Sequence, residues 1–174
     1  RLGWKGYDMN NERHILSAFD RDLEAVQATV VKMGGMVESA IHDAAAALDT
    51  RDDELAEDVR RRDKAIDALE LQINEGAARL IALRAPRATD LRMVLSVIKI
   101  SGILERVGDY AKNIAKRSNV LADMPVIEGA GIALRRMSAT VEAMMKDALD
   151  SYIQRDAALA GDQALDWGFF NRLC

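Results

Sequence analysis

The 174-residue sequence holds one cysteine, and that is its last residue, Cys174. An internal disulfide is therefore excluded, and no cysteine cluster is available for zinc or an iron-sulfur centre. A reducing, cytoplasmic setting is the expectation. Aromatic residues are only 5% of the chain and there are two prolines, which argues against a sheet protein built on β-branched and aromatic residues. Surplus positive charge is also lacking: the formal net charge is −4. Phosphate backbones are bound largely by excess Lys and Arg, so no nucleic-acid partner is expected. No stretch approaches the ~20 apolar residues of a membrane-crossing helix, so no membrane insertion is expected. A Gly-rich phosphate loop and a Ser-His-Asp set are missing too, which points away from an enzyme.

What is abundant is apolar residues at 49% and charged residues at 30%, enough for a packed core under a solvated surface. The expected fold class is all-α. From Phe19 the apolar positions run Leu23, Val26, Val30, Met33, Val37, Ala40, Ala44 and Leu48, the four-three rhythm of one helix face. This predicts a long helix over about 14–50. Gly34 and Gly35 leave its phase unbroken, which predicts close packing against another helix there. Asp49 to Glu54 supplies caps and first-turn acids for a second helix from about Asp52. Its stripe is Leu55, Val59, Ile66, Leu69, Ile73 and Leu80, with Arg62 and Gly76 at core edges, and Pro86 ends it. Thr89 or Asp90 is read as the cap of a third helix running to Leu121, and a fourth is expected from about Ile132.

A shift of 104 residues lays Met137-Ser138-Ala139-Thr140-Val141-Glu142 on Met33-Gly34-Gly35-Met36-Val37-Glu38, and Arg155-Asp156 on Arg51-Asp52. This reads as an internal duplication of a three-helix unit. The expected architecture is thus tandem three-helix bundles of long antiparallel helices with the second bundle truncated. Residues 1–8 are read as an extension or tag, 9–122 as the first unit, 129–162 as the start of the second and 163–174 as an atypical tail. An incompletely covered fourth helix predicts self-association, unless it folds back on the first bundle.

The chemistry concentrates in two acidic couples spaced i,i+4: Asp63 and Asp67 on the second helix, Glu105 and Asp109 on the third. Each couple projects from one face. If these helices fold back at Pro86, heights match, because Asp67 and Glu105 each stand 19 residues from it and Asp63 and Asp109 each stand 23. Four grouped carboxylates repel one another unless protons, Lys/Arg or a cation neutralise them. Oxygen-only ligands suit Mg²⁺, Ca²⁺, Mn²⁺ or iron, and small Gly108 beside them admits close approach. The alternative is a set of solvated acids paired with Arg61, Arg62, Lys64, Arg106 and Lys112, each pair contributing ~0–1 kcal/mol.

Leu83-Arg84-Ala85-Pro86-Arg87-Ala88-Thr89-Asp90-Leu91-Arg92, followed by Leu104-Glu105-Arg106-Val107-Gly108-Asp109-Tyr110-Ala111-Lys112-Asn113-Ile114-Ala115, resembles the signature region of the PhoU family. The resemblance spans about residues 11–160. It implies two tandem bundles, each with paired acidic motifs binding a metal ion or multinuclear cluster, often iron or zinc. The ligands carried over are Asp63, Asp67, Glu105 and Asp109. It further implies a negative regulator of the phosphate-starvation response and of phosphate uptake. The implied partners are the ATPase of a phosphate ABC transporter and a sensor histidine kinase, with homodimers and peripheral membrane association through those partners.

Two departures from the family pattern stand out. Tyr110 occupies a position where many relatives have His, and Trp167 and Asn171 occupy two of the second unit's acidic positions. Two rival functions are a metal-free helical dimerisation module and a carboxylate-bridged di-iron protein. The latter usually needs Glu-x-x-His motifs, and neither His14 nor His42 follows a Glu by three residues. Both are read as surface or helix-flanking side chains.

Overall fold

The computed structural model describes the backbone of residues 9–121, 124–125 and 128–154, and the side chains within them from Ala18 onward, Asn119 excepted. Four helices account for nearly all of it: α1 (Met9–Thr50), α2 (Asp53–Arg84), α3 (Ala88–Leu121) and α4 (Ala130–Gln154). The proposed extension, the atypical tail and the repeat match at Arg155-Asp156 lie outside the described residues.

The α1–α2 junction is closed by chemistry legible in the sequence. Asp52 is extended and its side chain accepts the Leu55 N–H at 2.9 Å, with Asp53 and Glu54 in the first turn. Capping by an acid satisfies an otherwise unpaired amide and meets the positive end of the helix dipole. At the other end of α2, Ala85 takes a left-handed conformation (φ 44) and its N–H bonds to the Ile81 carbonyl, just before Pro86. A residue with a Cβ costs roughly 1–2 kcal/mol there relative to the right-handed region.

Two expected helix starts are corrected. α1 begins at Met9, about five residues earlier than the helix expected from the apolar stripe. α3 begins at Ala88: the Leu91 N–H bonds to the Arg87 carbonyl at 2.8 Å, so Thr89 and Asp90 sit inside the first turn rather than capping it.

Helices α1, α2 and α3 form one bundle, each packed on the other two. Its centre is Val30, Met33 and Val37 of α1, Val59, Ile66 and Ile73 of α2, and Val94 and Val97 of α3, all essentially inaccessible to solvent. Below them α3 turns to small residues: Ser101, Gly108, Ala111, Ala115 and Ser118. A Cβ on Gly108 would lie 3.3 Å from Ile66 Cδ1, so the glycine lets α3 approach α2 closely. Ser118 spends its hydroxyl on the Ala47 carbonyl of α1 at 2.8 Å.

α4 folds back on α1, and among the described helices it packs on α1 alone. The pairing is antiparallel: Gln27 meets Tyr152, His42 meets Glu142 and Arg135 meets Asp49. At Gly34 the two helices pack closely, since a Cβ there would collide with Leu149, while Gly35 has open space. The expected close packing at the glycine pair therefore falls on the first of the two. Arg62 and Gly76, the core-edge positions of α2, both serve α1: Arg62 bonds to Asp43 and Ser39, and Gly76 accommodates Val26. Among the described residues no helix is long and apolar enough to cross a membrane.

Candidate metal centre

The hairpin of α2 and α3 brings the two acidic couples to one seam. Asp63 falls on the buried heptad stripe of α2 between Val59 and Ile66 and is only 5% exposed. An ionised carboxylate at such a position requires a partner. Lys112 supplies it: one turn after Asp109 on α3, its ammonium donates both to Asp63 Oδ2 across the seam and to Asp109 Oδ1 at 2.8 Å. The hydrogen bond from Lys112 holds the Asp109 carboxyl below the usual aspartate range, and the two acids together push the Lys112 ammonium well above the usual lysine value.

Asp67 and Glu105 form the other tier, one turn nearer Pro86. Neither has an ion-pair partner among the described residues. Both carboxyls are raised, chiefly by desolvation and then by neighbouring acids: Asp63 and Asp109 act on Asp67, and Asp109, Glu70 and Asp67 act on Glu105. The seam is therefore asymmetric. Its lower tier is bridged by a lysine, and its upper tier has no ion-pair partner among the described residues.

All four sequence-derived residues are thus neighbours. As the side chains stand, however, no three carboxylate, imidazole or thiol groups among the described residues converge on one point tightly enough to hold an ion. The donor chemistry itself fits a hard cation, being carboxylate oxygen throughout. Of the bases considered as surface partners, Arg61 pairs with Asp58, and Arg62 with Asp58 and Asp43, while only Lys112 enters the seam. Glu70, absent from the sequence-derived set, belongs to the cluster as well. Its Oε1 lies 3.6 Å from where a Cβ on Gly102 would stand, and its place one heptad after Asp63 was the available signal. Exposed His42 flanks the helix pair and approaches Glu142 at 3.4 Å, and the His14 side chain lies outside the described residues.

The domain model described as "PhoU domain" matches residues 30–118, which contain the whole seam. The chain belongs to the PhoU family. A "Phosphate-specific transport system accessory protein PhoU homolog" from Zymomonas mobilis is 46% identical over 143 residues, covering 82% of this chain and 60% of the relative. The protein of the same name from Caulobacter vibrioides is 40% identical over 143 residues, covering 82% of this chain and 62% of the relative. The crystal structure of PhoU from Pseudomonas aeruginosa superposes with a TM-score of 0.78 at 36% identity, covering 83% of this chain and 69% of that one. The phosphate transport system regulatory protein PhoU from Streptococcus pneumoniae gives 0.81 at 29% identity, covering 88% and 72%. This PhoU-family chain spans about 60% of the length of these two curated relatives.

The exposed Tyr110 is one residue on from Asp109, about 100° round the helix, so it faces outward rather than into the seam. Trp167 and Asn171, which bear on a second PhoU acidic pair, lie outside the described residues.

Proposed function

We propose that this protein is a non-enzymatic regulator of phosphate uptake, restraining the phosphate-starvation response from the cytoplasm by linking a phosphate ABC transporter's ATPase to a sensor histidine kinase. The names of its relatives, which place them with phosphate-specific transport systems, support the coarse role. The adaptor role and both partners rest on the family resemblance.

Within that role the α2–α3 seam is a cation site, and the observation that carries this is the height match that sets Asp63 beside Asp109 and Asp67 beside Glu105. Asp67 and Glu105 are raised first by desolvation and then by their neighbours' charge, as expected of acids without an ion-pair partner. A bound divalent or trivalent ion, whether iron, zinc, magnesium or manganese, would supply that positive charge and pin α2 to α3. For these residues to bind it, Asp67 and Glu105 turn inward and Lys112 releases Asp63 and Asp109. The surface shown to partners would then depend on metal occupancy.

Metal analysis of purified protein tests the site. Stoichiometric, acid-labile metal is expected in the wild type and none in the Asp63→Asn/Asp67→Asn/Glu105→Gln/Asp109→Asn variant, with the helical circular dichroism retained. Equal metal content in the two would remove the site. Co-purification with the transporter ATPase or the sensor kinase tests the adaptor role, and binding to neither would remove that.

One observation favours a second reading. Lys112 already bridges the two acids of the lower tier, which is what a metal-free helical dimerisation module would need. Identical stability and oligomeric state in chelated and metal-supplemented protein would select it.

A further inference from the structure

We propose that the outward face of α3 is a docking surface for an acidic amphipathic helix of a partner protein. Along that face cations recur every seven residues at Arg92, Lys99 and Arg106, and apolar side chains stand between and after them at Leu95, Ile103 and Tyr110. At about 100° per residue the six fall in one sector of the helix, opposite the buried stripe of Val94, Val97, Leu104 and Ala111.

All six are exposed, the apolar ones by half or more: Leu95 50%, Ile103 53% and Tyr110 59%. None of the three cations takes part in an ion pair among the described residues. The acids of α3, Asp90, Glu105 and Asp109, all lie outside the sector. A chain of net charge −4 thus carries a line, about 27 Å long, of unpaired cations and exposed apolar groups.

The arrangement decides between a protein and a lipid surface. Helix faces that lie on membranes gather their apolar side chains into one contiguous area with cations at its edges. Here Leu95, Ile103 and Tyr110 are each separated from the next along the line by a cation, so the three do not join into one such area. The carboxylates of the seam also run along one flank and would repel anionic headgroups.

A second helix laid alongside meets neither obstacle. A repeat near seven residues is the spacing at which side chains of two helices interdigitate. Leucines of the partner would seat between Leu95, Ile103 and Tyr110 while its acids meet Arg92, Lys99 and Arg106. The charge complement sets specificity and association rate, and the apolar contacts hold the complex. This surface is independent of the cation site, since none of its six side chains belongs to the seam cluster.

The test uses a synthetic helical peptide of about four heptads, long enough to hold a helix, with leucine on one face flanked by glutamate. A second peptide has lysine in place of every glutamate. Fluorescence anisotropy with the full chain is expected to show binding of the acidic peptide only, weakening as salt rises. The pair Lys99→Glu/Arg106→Glu, and separately Ile103→Ser/Tyr110→Ser, should each weaken it about tenfold while leaving the melting temperature at the wild-type value, these being exposed positions. The proposal is overturned by no binding of the acidic peptide, by equal binding of both peptides, or by binding that both variants leave intact. Sedimentation with phosphatidylglycerol vesicles that is lost in these variants, without peptide binding, would assign the face to lipid instead.

Discussion

The Lys112 ammonium on α3 reaches across the hairpin to the Asp63 carboxylate on α2, an acid whose side chain is only 6% exposed, while the lysine itself is about a quarter exposed. Removing one member of a buried pair strands the other without water, and costs about 3–5 kcal/mol when burial is complete. Because Lys112 keeps some solvent, Lys112→Met should cost somewhat less, about 2–3 kcal/mol in metal-free protein. Adding Asp63→Asn should recover much of that loss. Denaturant melts of the four members of this cycle measure the coupling, and strictly additive losses would show that the two groups do not act as a pair.

The same lysine stands where a bound cation would neutralise Asp63 and Asp109, so lysine and metal compete. Lys112→Met is expected to tighten metal binding about tenfold by titration calorimetry, since displacing the ammonium no longer opposes it. Its stability deficit should shrink in saturating metal, because the ion then supplies the missing charge. Unchanged or weaker affinity in Lys112→Met would make Lys112 a support for the ligands rather than their competitor.

The acids of the seam predict an unusual acid limb for metal-free protein. Asp67 and Glu105 have folded values raised above the ordinary 3.8 and 4.5. The folded state therefore binds their protons more tightly than the unfolded state, and their repulsion is relieved as pH falls through the raised values. Asp109 is lowered, so its stabilisation is complete above the ordinary range and is lost as pH falls through the lowered value. Stability should rise slightly as pH drops toward the carboxylate range, about pH 4, then fall below it. The Asp67→Asn/Glu105→Gln variant should lose the rise and keep the fall. A wild type that weakens monotonically from neutral pH would contradict the unpaired upper tier.

The hairpin, the height match and the buried stripes were legible because each depends on spacing, and spacing survives folding unchanged. Asp63 and Asp109 could be set level from Pro86 alone. The bridge through Lys112 was harder to see, since Lys64 and Arg106 have similar sequence claims on the same acids and only rotamer and burial choose among them. Whether Asp67 and Glu105 turn toward one point is equally invisible to periodicity. Helix starts failed for a local reason: the first intrahelical bond of α3 runs from the Leu91 N–H to the Arg87 carbonyl, which places the helix start two and three residues ahead of the Thr89 and Asp90 side chains that the sequence offers as caps.

Met33 and Met137 are aligned by the 104-residue shift but differ in the fold. Met33 on α1 is fully buried in the core, whereas Met137 on α4 is 50% exposed. Truncating a buried methionine loses its transfer energy and leaves a cavity, about 2–5 kcal/mol, so Met33→Ala should lower stability by that much. Met137→Ala removes a side chain that water already reaches and should cost below about 1 kcal/mol in a monomer. The comparison also reports on association, because any partner covering α4 buries Met137 and raises its cost toward that of Met33. Melts of both variants across protein concentration separate the two cases: a concentration-independent, small Met137→Ala effect means that α4 presents this face to solvent, and an effect that grows with concentration means that a second copy covers it.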